Sequence, residues 1–344
     1  MAKVRWTVIG TAAMAAAAMS GAAAQQRAPA PSAARPAVPP VDRNLLHVQV
    51  ILDKLGFAPG VLDGRSGLAL TNALRGFQES RGLPQTGKPD AVTLGALHQY
   101  RAMRPVKQVT LTADMVAGPF FNPIPKDEMQ QAQLPALGYR TALEKLAETF
   151  HTTPQALIAL NSPSTRLAAG TRLVVPNALP GARDYDPKLP PEWRTTLNSL
   201  NIDSNQPQGK SIEVDKSQGV LRVLDGQGKL LAQFTATMGS THDPLPLGRW
   251  TVKGASYNPP FHYNAALFWD ADNKNEKAKL PPGPNGPVGV VWLDLSKPHY
   301  GIHGTPEPQL IGRTESHGCI RLTNWDAARL AMMVKPGTPA VFKA

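Results

Sequence analysis

The sequence predicts a multidomain α+β protein with a small three-helix domain, a small α/β module and a C-terminal, mostly antiparallel β domain. Three observations predict it. Apolar residues recur at helical spacing between residues 42 and 104, and a second, shorter helical pattern near residue 140 ends in the strand-like run "TRLVVP". From residue 210 onward the pattern changes to short alternating runs broken by turns. A length of 344 residues accommodates two or three domains, and 34 prolines with 29 glycines suit short modules joined by irregular linkers.

Residues 1–24 have the organisation of a signal peptide. Lys3 and Arg5 give a positive start, an Ala-rich apolar run follows from Trp6 to Met19, and Ala22-Ala23-Ala24 offers a small-residue cleavage site before Gln25. That run is shorter than the ~20 residues of a bilayer span, and no cysteine lies nearby for lipid attachment. Export is therefore expected, with the periplasm as destination and no membrane span after cleavage. Residues 25–41, Pro/Ala-rich and without an apolar period, are expected to form an extended linker. The formal charge of +11 suits an anionic polymer or surface. The basic residues are dispersed and no base-stacking motif is present, so nucleic acid is not an expected partner.

From residue 42 to 104, Leu45, Val48, Ile51, Leu52 and Leu55 mark a first helix that Asp42 can cap and Gly56 can end. Leu70, Leu74 and Phe77 mark a second helix, ended by Gly82, and Asp90 opens a third carrying Val92, Leu94 and Leu97. The pattern "LGF…LDG…FQ…GLP.TG..D..TL" resembles the peptidoglycan-binding domain type 1 family, which implies binding to glycan or stem peptide. Residues 105–136 are Pro-rich and expected to be a linker.

In 137–177, Thr141 and Glu144 have capping-box spacing, and Leu143, Leu146, Ala147 and Phe150 line one helical face. Thr153-Pro154 opens a second helix, Asn161 ends it, and "TRLVVP" is a strand. This order resembles the lysin motif (LysM), a peptidoglycan-binding fold, with the usual opening strand and its Gly-Asp-Thr signature missing. Residues 178–209 are expected to be another linker, with a short helix around Trp193. The β domain spans 210–344.

The single cysteine, Cys319, lies in "GIHGTPEPQLIGRTESHGCIRL". In an oxidising compartment an unpaired cysteine is either a reactive thiol or an inert buried residue. At an ordinary pKa of ~8.5 a thiol is only slightly ionised at neutral pH, so reactivity needs a base within reach. His317 is two positions away, on the same face of an extended segment. His303 alternates onto one face of "HYGIHGT", and the following loop can return the chain so that it faces Cys319. Gly304 leaves room for close approach and a carbonyl to orient the imidazole, and Gly318 lets N–H groups turn toward an oxyanion. Arg321 shares a strand face with Cys319 and can hold a carboxylate. Spacing alone also leaves open structural histidines, or a metal held by His299, His303, His317 and Cys319, although no carboxylate or thiol pair stands at zinc spacing.

The run "IHGT…SHGCIRL" resembles the signature of the L,D-transpeptidase catalytic family, matching at Ser316, His317, Gly318, Cys319, Ile320 and Arg321, and the likeness covers about 210–344. It implies the L,D-transpeptidase fold and a cofactor-free cysteine acyltransferase. In that reading Cys319 is the nucleophile and His303 the general base, with Gly304 orienting it. His317, Gly318 and Cys319 shape the oxyanion pocket. Arg321, Ser316, Tyr300 and Trp269 contact substrate, and the segment "FHYNAALFWDADNKNEKAKLPPGPNGP" forms a lid. The implied reaction takes an acyl group from a tetrapeptide stem with release of D-Ala and makes a 3→3 cross-link. The acceptor can be a diamino-acid side chain, an outer-membrane lipoprotein lysine, a free D-amino acid or water, the last making the enzyme an L,D-carboxypeptidase. The resemblance implies carbapenem as an inhibitor. A catalytically inert peptidoglycan-binding protein is the reading from another functional class.

Overall fold

The computed structural model describes residues 39–269, 271 and 276–344. The signal peptide expected at 1–24 and nearly all of the linker at 25–41 lie outside these residues. The first helix, α1 (Arg43–Lys54), starts where Asp42 accepts hydrogen bonds from the amides of Asn44 and Leu45. A two-residue strand β1 (Phe57–Ala58) follows, then α2 (Leu68–Ser80) and α3 (Ala91–Leu97). Leu52, Leu74 and Phe77 are the fully buried centre of this bundle.

The next strand, β2 (Val106–Thr110), lies inside the stretch expected to be a linker. Two short helices, α4 (Ala113–Val116) and α5 (Glu128–Gln131), precede α6 (Ala142–Thr149) and α7 (Pro154–Leu160), and β3 (Arg172–Pro176) closes the unit. The expectation of a missing opening strand is corrected here. β2 pairs antiparallel with β3, Val106 opposite Pro176 and Thr110 opposite Arg172. The sequence signal was hidden because about thirty Pro-rich residues separate β2 from the first helix of the unit. Thr141 caps α6 through the Glu144 amide at 3.1 Å, while the Glu144 carboxylate accepts from the Arg140 amide rather than closing back on Thr141. Thr153 caps α7 in the same way through the Ala156 amide at 3.1 Å.

Helix α8 (Pro191–Ser199) buries Trp193 completely, with its ring stacked 4.5 Å from Tyr257. The β domain then runs β4 (Ser211–Asp215), β5 (Val220–Leu224), β6 (Leu230–Thr235), β7 (Thr237–Met238), β8 (Gly248–Tyr257), β9 (Phe261–Asn264), β10 (Lys277–Leu280), β11 (Val291–Leu295), β12 (Gly301–His303), β13 (Ile320–Arg321), α9 (Asn324–Met333) and β14 (Pro339–Lys343). Among the described residues one sheet has the order β1-β6-β5-β4-β14-β8-β11-β12-β13-β7. Most neighbours are antiparallel; β1–β6, β4–β14 and β12–β13 are parallel. The β9–β10 pair stands apart as a hairpin.

The described residues form one compact unit. The helical bundle adds β1 to the sheet edge, Phe57 opposite Gln233. A buried polar junction ties α1, α9 and the loop after α6 together. Arg329 Nη1 lies 3.1 Å and His151 Nδ1 3.3 Å from the Asp53 carboxylate, and His151 stacks 5.0 Å from Trp325. Burial would push the Asp53 carboxyl up, but His151 and Arg329 outweigh it and hold the group down at about 2.

Candidate active site

Parallel pairing of β12 with β13 brings the two motif segments together. Ile302 lies opposite Ile320 and His303 opposite Arg321. Because strand side chains alternate, Cys319, Arg321, Gly301 and His303 share one face. That face opens into a cavity of ≈ 1030 Å³ lined by Cys319, His303, His317, Tyr300 and Arg321. His303, His317, Arg321 and Cys319, separated in two sequence runs, thus line one cavity.

His303 is buried, and its Nδ1 lies 2.7 Å from the Gly304 carbonyl oxygen. A carbonyl only accepts, so Nδ1 carries the proton and Nε2 is left as the basic nitrogen. Burial, with Arg321 nearby, pushes the imidazole pKa down to about 3, although the Gly304 bond opposes this. Trp292, opposite His303 on β11, stacks on the ring with centroids 5.4 Å apart. Cys319 is half-buried. Burial pushes its thiol up, while the Gly301 amide and the Arg321 charge favour the thiolate. The sulfur also lies 3.9 Å from the His299 carbonyl oxygen. At neutral pH the cavity therefore holds a thiol and a neutral imidazole, with the Arg321 charge and the Gly301 amide favouring the thiolate.

The turn before β13 has its own supports. Gly318 has φ +92°, a conformation that favours glycine, and a Cβ there would stand 2.6 Å from the Tyr300 ring. Ser316, expected among the substrate contacts, is placed otherwise. Its buried hydroxyl donates to the Cys319 carbonyl oxygen at 2.6 Å and accepts from the Gly239 amide at 2.7 Å. It fastens the turn to the sheet and does not face the cavity. Trp269, also expected to contact substrate, is 54% exposed and stacks on His242 at 4.2 Å. It sits at the rim, 6.3 Å from the His317 ring, and outside the cavity lining.

The segment expected as a lid is the β9–β10 hairpin, whose residues, Phe261 and Phe268 among them, form one wall of the cavity. Phe268 meets His317 edge-on at 5.0 Å. Further lining comes from Lys126, Asp127, Glu128 and Gln131, in and just before α5. Sequence reasoning missed this contribution, as well as Trp292 and the Gly301 amide. Among the described residues no group of three His, Cys, Asp or Glu is placed to hold a metal ion.

Two segments of the chain resemble known proteins. The model of the L,D-transpeptidase catalytic domain matches residues 209–342, and that of a putative peptidoglycan binding domain matches residues 42–97. The C-terminal part of the chain is an L,D-transpeptidase catalytic domain. The putative L,D-transpeptidase YkuD of Bacillus licheniformis is 29% identical over 198 residues, covering 57% of this chain and 90% of that protein. The probable L,D-transpeptidase YbiS of Escherichia coli K12 is 34% identical over 99 residues, 27% of this chain and 31% of that one. Among solved structures, the L,D-transpeptidase from Mycobacterium smegmatis is 24% identical with a TM-score of 0.32. That match covers 39% of this chain and 58% of the M. smegmatis chain. The chain thus carries a segment matching a putative peptidoglycan binding domain ahead of its L,D-transpeptidase catalytic domain.

Proposed function

We propose that this L,D-transpeptidase is an exported enzyme that joins peptidoglycan stems in the periplasm by acyl transfer through Cys319. The observation that carries the reading is that a half-buried thiol one residue before β13 and a tautomer-fixed imidazole on the adjacent parallel β12 line one cavity. When substrate fills the cavity, His303 Nε2 takes the thiol proton, and the sulfur attacks the carbonyl of the third residue of a tetrapeptide stem. The tetrahedral oxyanion is held by backbone amides of the 317–319 turn. Collapse breaks the peptide bond, the proton on His303 passes to the leaving D-Ala amine, and a thioester remains. An acceptor amine then attacks the thioester, gives a proton to His303 and expels the thiolate, leaving a 3→3 cross-link. Arg321 stabilises the thiolate in both halves. Its charge beside the site is also suited to a substrate carboxylate.

The N-terminal bundle and the β2–α6–α7–β3 unit, the latter LysM-like, would hold the enzyme on its polymer. Residues 1–24 would direct export. The amine of a second stem is the preferred acceptor, because a cavity of ≈ 1030 Å³ is at the upper end of the range for a single ligand. An outer-membrane lipoprotein lysine is an alternative amine of the same chemistry, and a carbapenem would acylate the same sulfur. Incubating the protein with disaccharide tetrapeptide and weighing the products tests the reading. Cross-linked dimer with loss of D-Ala is expected, and Cys319→Ala should make none. Tripeptide without dimer would replace transpeptidation by L,D-carboxypeptidation, and no reaction at all would return the chain to an inert wall-binding role.

A further inference from the structure

Glu148 lies on α6, in the unit preceding the catalytic domain and outside both matched segments. It is 9% exposed, and its carboxyl oxygens accept from Asn324 Nδ2 at 2.6 Å and from the Tyr139 hydroxyl. Asn324 is fully buried at the start of α9 and is a hub. Its Nδ2 also reaches the Pro284 carbonyl oxygen at 3.1 Å, and its Oδ1 accepts from the Val290 amide at 3.2 Å. That same Oδ1 packs against Gly304 so closely that a Cβ there would stand 2.0 Å away, and against Gly289 at 1.8 Å. Gly304 supplies the carbonyl that fixes the His303 tautomer. One side chain thus sets both the backbone that orients the base and the 281–290 loop, whose Pro287 and Val288 line the cavity.

The same loop is gripped a second time from the N-terminal side. The Leu137 amide donates to the Pro282 carbonyl at 2.9 Å, and the Asn285 amide donates to the Leu137 carbonyl at 2.9 Å. Asn285 Nδ2 donates to the Gly138 carbonyl at 2.9 Å, and Arg140 Nη1 donates to Asn285 Oδ1 at 2.8 Å. Segment 137–148 therefore contacts the catalytic domain only a residue or two from the cavity wall.

We infer that Glu148 is a positioning residue of the transpeptidase, holding Asn324 so that the Gly304 carbonyl and the 281–290 loop keep His303 and the cavity wall in register. The unit before the catalytic domain is thereby part of the active-site support as well as a candidate wall-binding module. Removing the acceptor at position 148 frees the Asn324 amide to turn, and the Gly304 backbone moves with it. A misplacement of this kind lowers the chemical step more than substrate binding. The ionisable groups facing Glu148 are Tyr139, which donates to it, and Glu144, whose charge opposes its ionisation. From α9 it is met by the neutral Asn324.

The inference rests on the proposed acyl transfer, and the test keeps the two apart. Full-length wild type, Glu148→Ala and Glu148→Gln are compared by the rate of Cys319 acylation at saturating tetrapeptide, followed by intact mass. The His303 tautomer is read in parallel by ¹⁵N imidazole NMR. In Glu148→Ala the acylation rate is expected to fall about tenfold or more with KM within about twofold, and the Nδ1–H signature of His303 to give way to a tautomer mixture. Glu148→Gln, which retains an acceptor oxygen, should restore both. A Glu148→Ala protein that melts cooperatively and keeps the wild-type rate and tautomer overturns the inference, as does a Glu148→Gln protein as impaired as Glu148→Ala. If Glu148→Ala does not melt cooperatively, Glu148→Leu, which fills the site without an acceptor, is judged by the same criteria. If wild type itself is not acylated by tetrapeptide, the proposed function fails, and the tautomer comparison still decides the role of Glu148.

Discussion

Replacing Gly301 by alanine should disable the site through the indole beside it, leaving the backbone unstrained. A Cβ at this position would stand 2.3 Å from Trp292 Cζ2 and 2.4 Å from Cε2. Ordinary contact begins near 3.4 Å, so the ring must withdraw by about 1 Å. Gly301 does not have a positive φ, and alanine keeps the amide that faces the Cys319 sulfur. The perturbation therefore falls on Trp292 and, through the 5.4 Å stack, on His303. Overpacking of this kind costs about 1–3 kcal/mol, offset by the ~0.4–1 kcal/mol that alanine gains by restricting the unfolded chain. A net loss of about 1–2 kcal/mol is expected. A 1 Å displacement beside the base should slow acylation by about ten- to a hundredfold. Urea denaturation and the intact-mass time course of acylation measure the two effects. In the double variant Gly301→Ala/Trp292→Ala the clash is gone, so the two substitutions should couple by about 1 kcal/mol or more in stability while the rate stays low. Wild-type stability and rate in Gly301→Ala, or strict additivity in the double variant, would refute the reasoning.

Other groups give further tests. Burial raises the Glu148 carboxyl from 4.5 to about 8. Between those values the folded chain keeps a proton that the unfolded chain releases, so stability falls as pH rises and levels off above about 8. Glu148→Gln should remove that slope, stabilising the protein at pH 9 by at most about 5 kcal/mol; urea midpoints at pH 5 and pH 9 that shift in parallel with wild type would contradict this. Because burial pushes the Cys319 thiol up, iodoacetamide alkylation should accelerate with pH through a midpoint above the ~8.5 of an ordinary thiol, whereas a rate already at plateau near pH 7 would show a resting thiolate. Arg329→Ala should cost about 3–5 kcal/mol in denaturation, since the buried Asp53 carboxylate would lose its guanidinium partner at 3.1 Å; a loss under about 1 kcal/mol would mean that the junction is not held by this pair. Ser316→Ala should lower kcat more than KM, as expected for a hydroxyl that braces the Cys319 turn and does not touch substrate. A rise in KM alone would return it to the binding residues.

The parts of this site that were legible in the sequence are those set by local periodicity. Gly301 and His303 alternate in one short run, and Cys319 and Arg321 alternate in another. Any pairing of the two runs in this register puts all four on one face. Asp42, Thr141 and Thr153 announce helix starts because a cap acts on amides two or three residues away. What was not legible depends on distance along the chain. β2 pairs with β3 across more than sixty residues, and its five-residue alternation is too short to stand out within a Pro-rich stretch. Glu148 and Asn324 are separated by 176 positions, and each alone reads as an ordinary helical polar residue.

The protonation state of the proposed Cys319–His303 pair was equally hidden, because it follows from burial, which only the fold determines. A sequence reading expects an imidazole near 6.5 to activate a thiol near 8.5. The folded site instead lowers His303 to about 3 and raises Cys319. Both shifts favour the uncharged pair at rest, so proton transfer between them must be driven by what stabilises the resulting charges. Arg321, the Gly301 amide and an incoming carbonyl are the groups placed to do so. The thiol is thereby guarded against adventitious oxidation and alkylation, which proceed through the thiolate. The same burial makes its reactivity depend on the walls of the cavity. Those walls include α5 and the loop gripped by segment 137–148, so substitutions well before the catalytic domain should alter the chemistry at Cys319 without touching the motif that announces it.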